Sequence, residues 1–310
     1  MGWILFLLLI GAIAVAPLVV ESRRLPMDQA ERTNAPGQFA NLSLGQTHYD
    51  WSGHIDGPVA VCVHGLTSPS FVWSAVVKVL TLMGFRILTY DLYGRGFSDR
   101  PKGAQNTDFF VNQLTELMDD QEVGENVTLL GYSMGGAIAT AYAARHRDRL
   151  ERLVLIAPGG LGHDLGKFFE FAANTPLIGD WLFLMFGGLV HRRNISKEAA
   201  AWPTEVPDIH EDQANETHFQ GFLPAVLSSM RHMLGKDQEP EHRAIAKTDL
   251  PVLAIWGEED DVIPISGLGR LAEFHRDARQ VSIPGAPHAL AYTHPKDVQK
   301  ALQDLLHDGL

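Results

Sequence analysis

A serine flanked by glycines lies where two different sequence patterns meet. The pentapeptide is Gly131-Tyr132-Ser133-Met134-Gly135. The apolar residues 127–130 before it are typical of a buried strand, and the alanine-rich residues 136–144 after it are typical of a helix. A tight strand-to-helix turn needs glycine there, because larger side chains would collide with neighbouring backbone. The pattern predicts a nucleophilic serine at the tip of the turn, above a helix N-terminus that can stabilise negative charge.

Candidate partners for this serine follow two later strand-like segments. A serine hydroxyl needs a base to attack at neutral pH, and the base needs an orienting acid. Residues 250–256 lead into a loop with Asp260 and Asp261, and residues 280–283 lead into a loop with His288. Because active sites of open α/β sheets lie along the carboxyl edge of the strands, we expect these groups to meet there.

With these motifs the chain resembles the α/β-hydrolase superfamily over about residues 40 to 308. The family's chain order of serine, acid and histidine is present. The resemblance implies an α/β fold with a mostly parallel sheet, helices on both faces, Ser133 as nucleophile and His288 as base. Four blocks carry it: His64-Gly65-Leu66, Asp91-Leu92-Tyr93-Gly94-Arg95-Gly96-Phe97-Ser98, the serine turn, and the paired acid and histidine loops.

The acid of the site is assigned by the family's spacing of Gly-x-x-Asp-x-x-x-Pro. Gly257 and Pro264 fit that pattern and place the acid at Asp260. Asp261 stays open as an alternative, since a slip of one residue in the loop would exchange the two.

Two backbone amides are predicted to form an oxyanion hole, where each donor lowers the barrier by about 3 kcal/mol. One is the N–H of Met134, directly after the nucleophile. The resemblance to His-Gly-x sequences implies that the other is the N–H of Leu66, in the loop after the strand at residues 59–63. We expect His64 to hydrogen-bond nearby loop backbone.

A helical lid is predicted over residues 159–249, between two parts of the core at residues 38–158 and 250–310. The lid sequence shows no strand pattern but has helical runs at Leu165–Ala173, Leu177–Phe186 and Phe219–Leu234. It carries many aromatic residues, some of which we expect to form an apolar acyl-binding pocket above Ser133. The candidate pocket residues are Phe168, Phe171, Trp181 and Phe186.

The first 24 residues have the pattern of a membrane anchor. Residues 2–20 carry no charge, and a helix of that length spans about 28 Å, close to the thickness of a bilayer core. Arg23 and Arg24 follow, and by the positive-inside rule they place the catalytic domain in the cytoplasm. A polar linker is expected over residues 25–37. The alternative is a signal peptide cleaved after Ala14-Val15-Ala16, although no Lys or Arg precedes the apolar run.

The composition of the chain limits the kinds of partner and cofactor that we expect it to bind. The 310 residues are 45% hydrophobic, enough for one large core, and the net charge of −12 argues against nucleic acid as a partner. The single cysteine, Cys62, lies in an apolar strand and is expected to be buried. The fourteen histidines lack metal-ligand spacing, so no metal or cofactor is expected. The oligomeric state stays open.

These features predict a serine hydrolase that cleaves a small-molecule carboxylic ester through an acyl-enzyme, with lipid-derived monoesters such as monoacylglycerols as the expected substrates. Serine at the turn argues against the family branches that use an aspartate nucleophile.

Two alternatives to this function remain. One is a carbon–carbon bond hydrolase of aromatic ring-fission products, whose dianionic substrates require cationic groups. A non-catalytic binding protein of the same fold is the other. The lid residues that could supply the cations are Lys167, Arg192, Arg193 and Arg231.

Overall fold

The computed structural model describes residues 2–33 and 35–307. The ends of the predicted anchor and core, Met1 and residues 308–310, and one linker residue, Asn34, lie outside the described residues. All strands form one eight-stranded sheet in the order β1-β2-β4-β3-β5-β6-β7-β8. The strands are β1 (Gln38–Leu42), β2 (Gly45–Gly53), β3 (Val59–Val63), β4 (Arg86–Tyr90), β5 (Val127–Tyr132), β6 (Leu150–Ile156), β7 (Val252–Gly257) and β8 (Arg279–Ile283).

The sheet is parallel from β4 to β8 and antiparallel only where β2 pairs with β1 and β4. The predicted mostly parallel sheet is therefore confirmed. Parallel pairing puts the carboxyl ends of β3, β5, β6, β7 and β8 at one edge, which is where the serine and histidine loops begin.

Helices cover both faces of the sheet, because both faces of its central strands are apolar. In β3, Val61 and Val63 pack into one hydrophobic cluster and Ala60 and Cys62 into another. The helices of the core are α3 (Ser74–Leu82), α4 (Thr107–Asp120), α5 (Met134–Arg145), α11 (Ser266–Phe274), α12 (Leu290–Thr293) and α13 (Pro295–His307), with 3₁₀ turns at Ser70–Trp73 and Arg147–Arg149.

The predicted lid, residues 159–249, is helical, and its described residues contain no strand. The predicted run Leu177–Phe186 extends much further, to Ala201, and the run Phe219–Leu234 begins three residues later than predicted. The lid helices are α6 (Lys167–Asn174), α7 (Ile178–Ala201), α8 (Ile209–Glu216), α9 (Phe222–Ser229), a π-helical turn (Met230–Leu234) and α10 (Glu239–Ile245). Of these helices, α10 also packs on α5 of the core.

The N-terminal segment packs against the lid. Helix α1 (Gly2–Ser22) is long and apolar enough to cross a membrane, and it contacts α7. The segment expected to be a linker is docked on the protein and contains α2 (Gln29–Arg32). The Arg32 guanidinium is buried and donates to the carbonyl of Phe97 at 2.9 Å. This contact could not be read from the polar composition of residues 25–37.

Candidate active site

The serine turn is strained, and its glycines are required. Ser133 has φ +56° and ψ −124°, a conformation that L-residues rarely adopt. A Cβ added to Gly131 would lie 2.4 Å from the Gly135 carbonyl oxygen, and one on Gly135 would lie 2.0 Å from the Val63 carbonyl oxygen. The collisions anticipated from the sequence are present on both sides of Ser133, so β5 can pass directly into α5 only with glycine at both positions.

Three predicted side chains form one hydrogen-bonded chain. His288 Nε2 lies 2.9 Å from Ser133 Oγ, and His288 Nδ1 lies 2.8 Å from Asp260 Oδ2. The other oxygen of Asp260 accepts the backbone N–H groups of Val262 and Ile263, at 2.9 and 2.7 Å. A base in contact with the nucleophile and oriented by a fixed carboxylate is what serine activation requires.

The electrostatics of the site affect how readily the histidine accepts a proton. Burial lowers the pKa of His288, but the charge and hydrogen bond of Asp260 raise it, and the charges of Glu198 and Asp261 raise it further. The net result is a pKa above the ordinary 6.5. His288 is thus a stronger base than a free imidazole.

The loop after β3 passes next to Ser133. A Cβ on Gly65 would lie 3.1 Å from Ser133 Cβ. The Gly65 carbonyl accepts from His64 Nδ1 at 2.9 Å, so the Leu66 N–H on the other side of that trans peptide points away from His64. The N–H of Met134 belongs to the first residue of α5 and has no acceptor within the helix. Both amides predicted for the oxyanion hole therefore adjoin Ser133.

Two buried basic residues hold this loop. His64 is fully buried, and burial lowers its pKa to about 4, so it is neutral. Its Nε2 accepts the Leu92 N–H at 2.8 Å, which leaves the proton on Nδ1 for the Gly65 carbonyl. Arg95 is also fully buried and donates to the Leu66 carbonyl at 2.9 Å. The role expected for His64 agrees with these contacts, whereas that of Arg95 was not anticipated.

The cavity above Ser133 has a volume of about 640 Å³ and differs from the predicted apolar pocket. Phe168, Phe171, Trp181 and Phe186 do not line it. Their neighbour Phe169 does, because the buried side of the short helix α6 presents residue 169 instead. Other apolar lining residues include Leu165, Ile195, Leu234, Val262 and Ile263.

The four predicted aromatic residues have other positions. Phe168 packs on Phe169 and Phe183, with ring centroids 5.8 and 6.2 Å away. Phe171 is exposed. The rings of Trp181 and Phe186 contact each other on α7, where Trp181 also bonds to α1. Aromatic content alone could not show which side of each helix faces the site.

One side of the cavity is polar. The Tyr292 hydroxyl donates to Glu198 at 2.6 Å, and Gln213 donates to Ser68 at 2.9 Å and to Tyr292 at 3.3 Å. Ser68, Glu198, Gln213 and Tyr292 all line the cavity and form what we call the polar wall. They come from four distant parts of the chain, and no local motif marks them.

The cationic lid residues that could bind a dianionic substrate lie outside the cavity. None of Lys167, Arg192, Arg193 and Arg231 lines the cavity, although Lys197 does. Arg231 is paired with Asp180 at 2.8 Å, and Arg192 donates to the Thr217 hydroxyl at 2.6 Å. Among residues 2–33 and 35–307, no group of three or more His, Cys, Asp or Glu side chains is arranged to hold a metal ion.

Known proteins share this fold. The family model for the alpha/beta hydrolase fold matches residues 58–295. A putative non-heme chloroperoxidase of Synechocystis is 27% identical over 81% of this chain and 91% of its own length. A bifunctional esterase/perhydrolase of Acinetobacter calcoaceticus is 24% identical over 82% and 92%. The crystal structure of an enol-lactonase from Burkholderia xenovorans superimposes with a TM-score of 0.70 at 22% identity, over 87% of this chain and all of that one.

Proposed function

The chain belongs to the α/β-hydrolase fold family, and on that premise we propose that this hydrolase cleaves carboxylic esters through a serine acyl-enzyme. The observation that carries the proposal is the unbroken contact from Asp260 through His288 to Ser133. An esterase among the relatives is consistent with it.

The mechanism follows from these contacts. His288 Nε2 takes the proton of Ser133 Oγ as that oxygen attacks the ester carbonyl. The resulting oxyanion is stabilised by the N–H groups of Leu66 and Met134. When this tetrahedral intermediate collapses, the bond from the carbonyl carbon to the alkoxy oxygen breaks. The alkoxy group receives the proton from His288 and leaves as an alcohol. A water molecule, deprotonated by the same Nε2, then attacks the acyl carbon. The bond from that carbon to Ser133 Oγ breaks, Oγ takes the proton back from His288, and the acid is released, while Asp260 stabilises the imidazolium in both halves of the reaction.

The two sides of the cavity support a monoester with one apolar and one hydroxylated part. Phe169, Leu165 and Leu234 offer apolar contact to an acyl chain. The polar wall offers hydroxyl, amide and carboxylate groups to an alcohol that carries further hydroxyls. A monoacylglycerol has both parts, so we propose it as the substrate class.

The cavity charges argue against the carbon–carbon bond hydrolase alternative. A dianionic ring-fission product would need an excess of cations, but Lys197 is accompanied by Asp164, Glu198 and Asp261 in the lining. We therefore retain ester hydrolysis as the proposed activity.

We also propose that α1 anchors the enzyme in a membrane. Its length and hydropathy support this, and so do Arg23 and Arg24 at its end, which favour a cytoplasmic catalytic domain. Glu21 near that end accepts the Gly221 N–H at 2.6 Å, a contact that ties the end of α1 to the lid. Cleavage after Ala16 would leave this contact but remove most of the helix.

A labelling experiment and a substrate screen test the function. Full-length protein in detergent should react with a fluorophosphonate probe, and Ser133→Ala should not. The screen compares a monoacylglycerol, nitrophenyl esters of graded length and a ring-fission dienoate. Turnover of the esters is expected. Turnover of the dienoate alone would reject the ester proposal, and absence of labelling would favour the non-catalytic alternative.

A further inference from the structure

Helix α1 is joined to the lid through a backbone carbonyl that its own proline leaves free. Pro17 has no N–H, so the carbonyl of Ile13, four residues earlier, has no helical donor. The indole N–H of Trp181 on α7 donates to that carbonyl at 2.7 Å. An indole placed here ties α7 to the middle of α1, well away from its C-terminal end.

A second junction between α1 and α7 lies further toward the C-terminal ends of both helices. Arg24, just beyond α1, donates to the Thr217 carbonyl, and Arg192 of α7 donates to the Thr217 hydroxyl at 2.6 Å. Ile13 to Arg24 therefore runs alongside Trp181 to Arg192 in the same direction. At 1.5 Å per residue, each stretch covers about 16 Å.

These junctions limit how α1 can sit in a bilayer. Residues 2–12 precede the contact with Trp181 and amount to only about 16 Å of helix, against a hydrocarbon core of about 30 Å. The remaining length must come from the stretch that lies beside α7. If α1 crosses a membrane, the N-terminal half of α7 is carried into the same layer.

The surface of that half of α7 suits lipid. Ile178, Leu182, Met185, Phe186 and Leu189 recur at helical spacing on one side, and none of them is buried. Leu177, at the tip before the helix, is 84% exposed. We call these six residues the apolar face of α7. Beyond Leu189 the same side continues with Arg193 and Ser196, so it becomes polar at the level of Arg24.

The tip carries little uncompensated charge. Between Ala172 and Trp181 the one charged residue is Asp180. Its carboxylate accepts from Arg231 at 2.8 Å and from the Leu177 N–H at 2.7 Å. A paired and hydrogen-bonded carboxylate is much less costly to desolvate than a free one.

From these contacts we infer that the apolar face of α7 is a lipid-binding surface, inserted beside α1 into the acyl-chain layer of the membrane. The arginines at positions 24, 192 and 193 then lie at the headgroup level. The inference rests on the proposed anchoring by α1. The opposite side of α7 lines the catalytic cavity at His191, Asn194 and Glu198, so one helix contacts both the bilayer and the site.

Single-cysteine labelling tests this placement. The native Cys62 is fully buried, so an introduced cysteine is the one thiol open to a thiol-reactive NBD fluorophore. Leu177→Cys reports on the face, and Leu5→Cys reports on α1. Leu82→Cys on α3 is the matched control, since Leu82 is 81% exposed and α3 packs on α12 and α13 of the core. Each labelled full-length protein is reconstituted into phosphatidylcholine vesicles with and without acyl-chain nitroxide lipids.

The expected result is a blue-shifted emission at positions 177 and 5 and a loss of fluorescence with nitroxide lipids, with neither change at 82. A quenched probe at 5 with an unshifted probe at 177 would overturn the inference and leave the anchor in place. A shifted but unquenched probe at 177 would mean that protein, such as a second copy, covers the face, which also overturns it. Unquenched probes at both positions would reject the anchor as well.

Discussion

The hydroxyl of Tyr132 donates a hydrogen bond of 3.0 Å to the backbone carbonyl of His288. The two rings also stack, with centroids 5.4 Å apart. Tyr132 is the last residue of β5, directly before the nucleophile, so the strand that presents Ser133 also fixes the loop that presents the base. The distance between Ser133 and His288 is thus set by a direct link between their two loops.

We expect Tyr132→Phe to weaken catalysis without unfolding the protein. The ring stack is preserved, but the His288 carbonyl loses a part-buried hydrogen bond of about 1 kcal/mol. A reduction of kcat by about fivefold should follow, measured with a soluble nitrophenyl ester. Tyr49→Phe, which removes the hydroxyl that bonds to Gln38 at the far edge of the sheet, is the control. Equal kcat values for the Tyr132→Phe variant and the parent would contradict the proposed link.

Ser133→Ala and His288→Ala should each abolish ester hydrolysis and leave the thermal unfolding temperature nearly unchanged. Because nucleophile and base act as a unit, the double variant should be scarcely less active than either single variant. Steady-state kinetics and thermal unfolding check both statements. Retained activity in either single variant would mean that another group performs its role.

Substitution of two neighbouring aspartates tests which of them orients His288. Asp260→Asn should lose activity by on the order of a thousandfold or more, because the imidazole loses its orienting charge. Asp261 is exposed at the cavity rim and does not bond to His288, so Asp261→Asn should stay within about tenfold of the parent. The measurement is kcat/KM for both variants. The reverse ranking would show that Asp261, and not Asp260, is the acid.

The pH profile should respond to Glu198. His288 must be neutral to act as base, so kcat/KM falls as the pH drops through its pKa, which lies above 6.5. Glu198 contributes to that rise, after Asp260. Glu198→Gln should therefore lower the pKa and move the acidic limb of the profile to lower pH.

The exposed lid residue Glu211, which does not contribute to the pKa of His288, provides the control Glu211→Gln. Its profile should coincide with that of the parent. A limb that stays in place or moves to higher pH in Glu198→Gln would show that Glu198 does not act on His288.

Short-range sequence patterns predict the fold and the candidate triad well. The turn at Ser133 is constrained by glycines within two residues of it, and β5 and β7 are buried, largely apolar runs. The parallel sheet then brings their loops together, so Asp260 and His288 approach Ser133 although they are far away in sequence. Local signals suffice wherever the sheet itself performs the assembly.

The arrangement of the lid is harder to predict from the sequence, because its helices are positioned by side-chain packing and not by pairing in a sheet. The pattern predicts a helix over most of α6, but it does not show that Phe169 packs on Phe183 and lines the cavity while Phe171 is exposed. The polar wall joins Ser68, Glu198, Gln213 and Tyr292 across more than 200 residues of sequence. No periodicity or spacing records such contacts, and the predicted pocket was wrong for that reason.

The length of the acyl chain should control specificity. Each methylene buried against the apolar side of the cavity contributes about 0.8 kcal/mol, or about fourfold in kcat/KM. Across esters from acetyl to dodecanoyl, kcat/KM should climb to an optimum at medium length and then level or fall as the cavity fills. The series is measured with full-length protein in detergent micelles. All esters are compared at one concentration, chosen so that the esters themselves form no micelles.

Two phenylalanines of α6 make this series diagnostic. Phe169 lines the cavity, so Phe169→Ala should flatten the rise with chain length and lower kcat/KM for the preferred ester. Phe171 is 48% exposed and outside the lining, so Phe171→Ala should reproduce the parent series. A sharp preference for acetyl esters in the parent, or equal series in the two variants, would reject an acyl chain on this side of the cavity and with it the lipid-derived monoester as substrate.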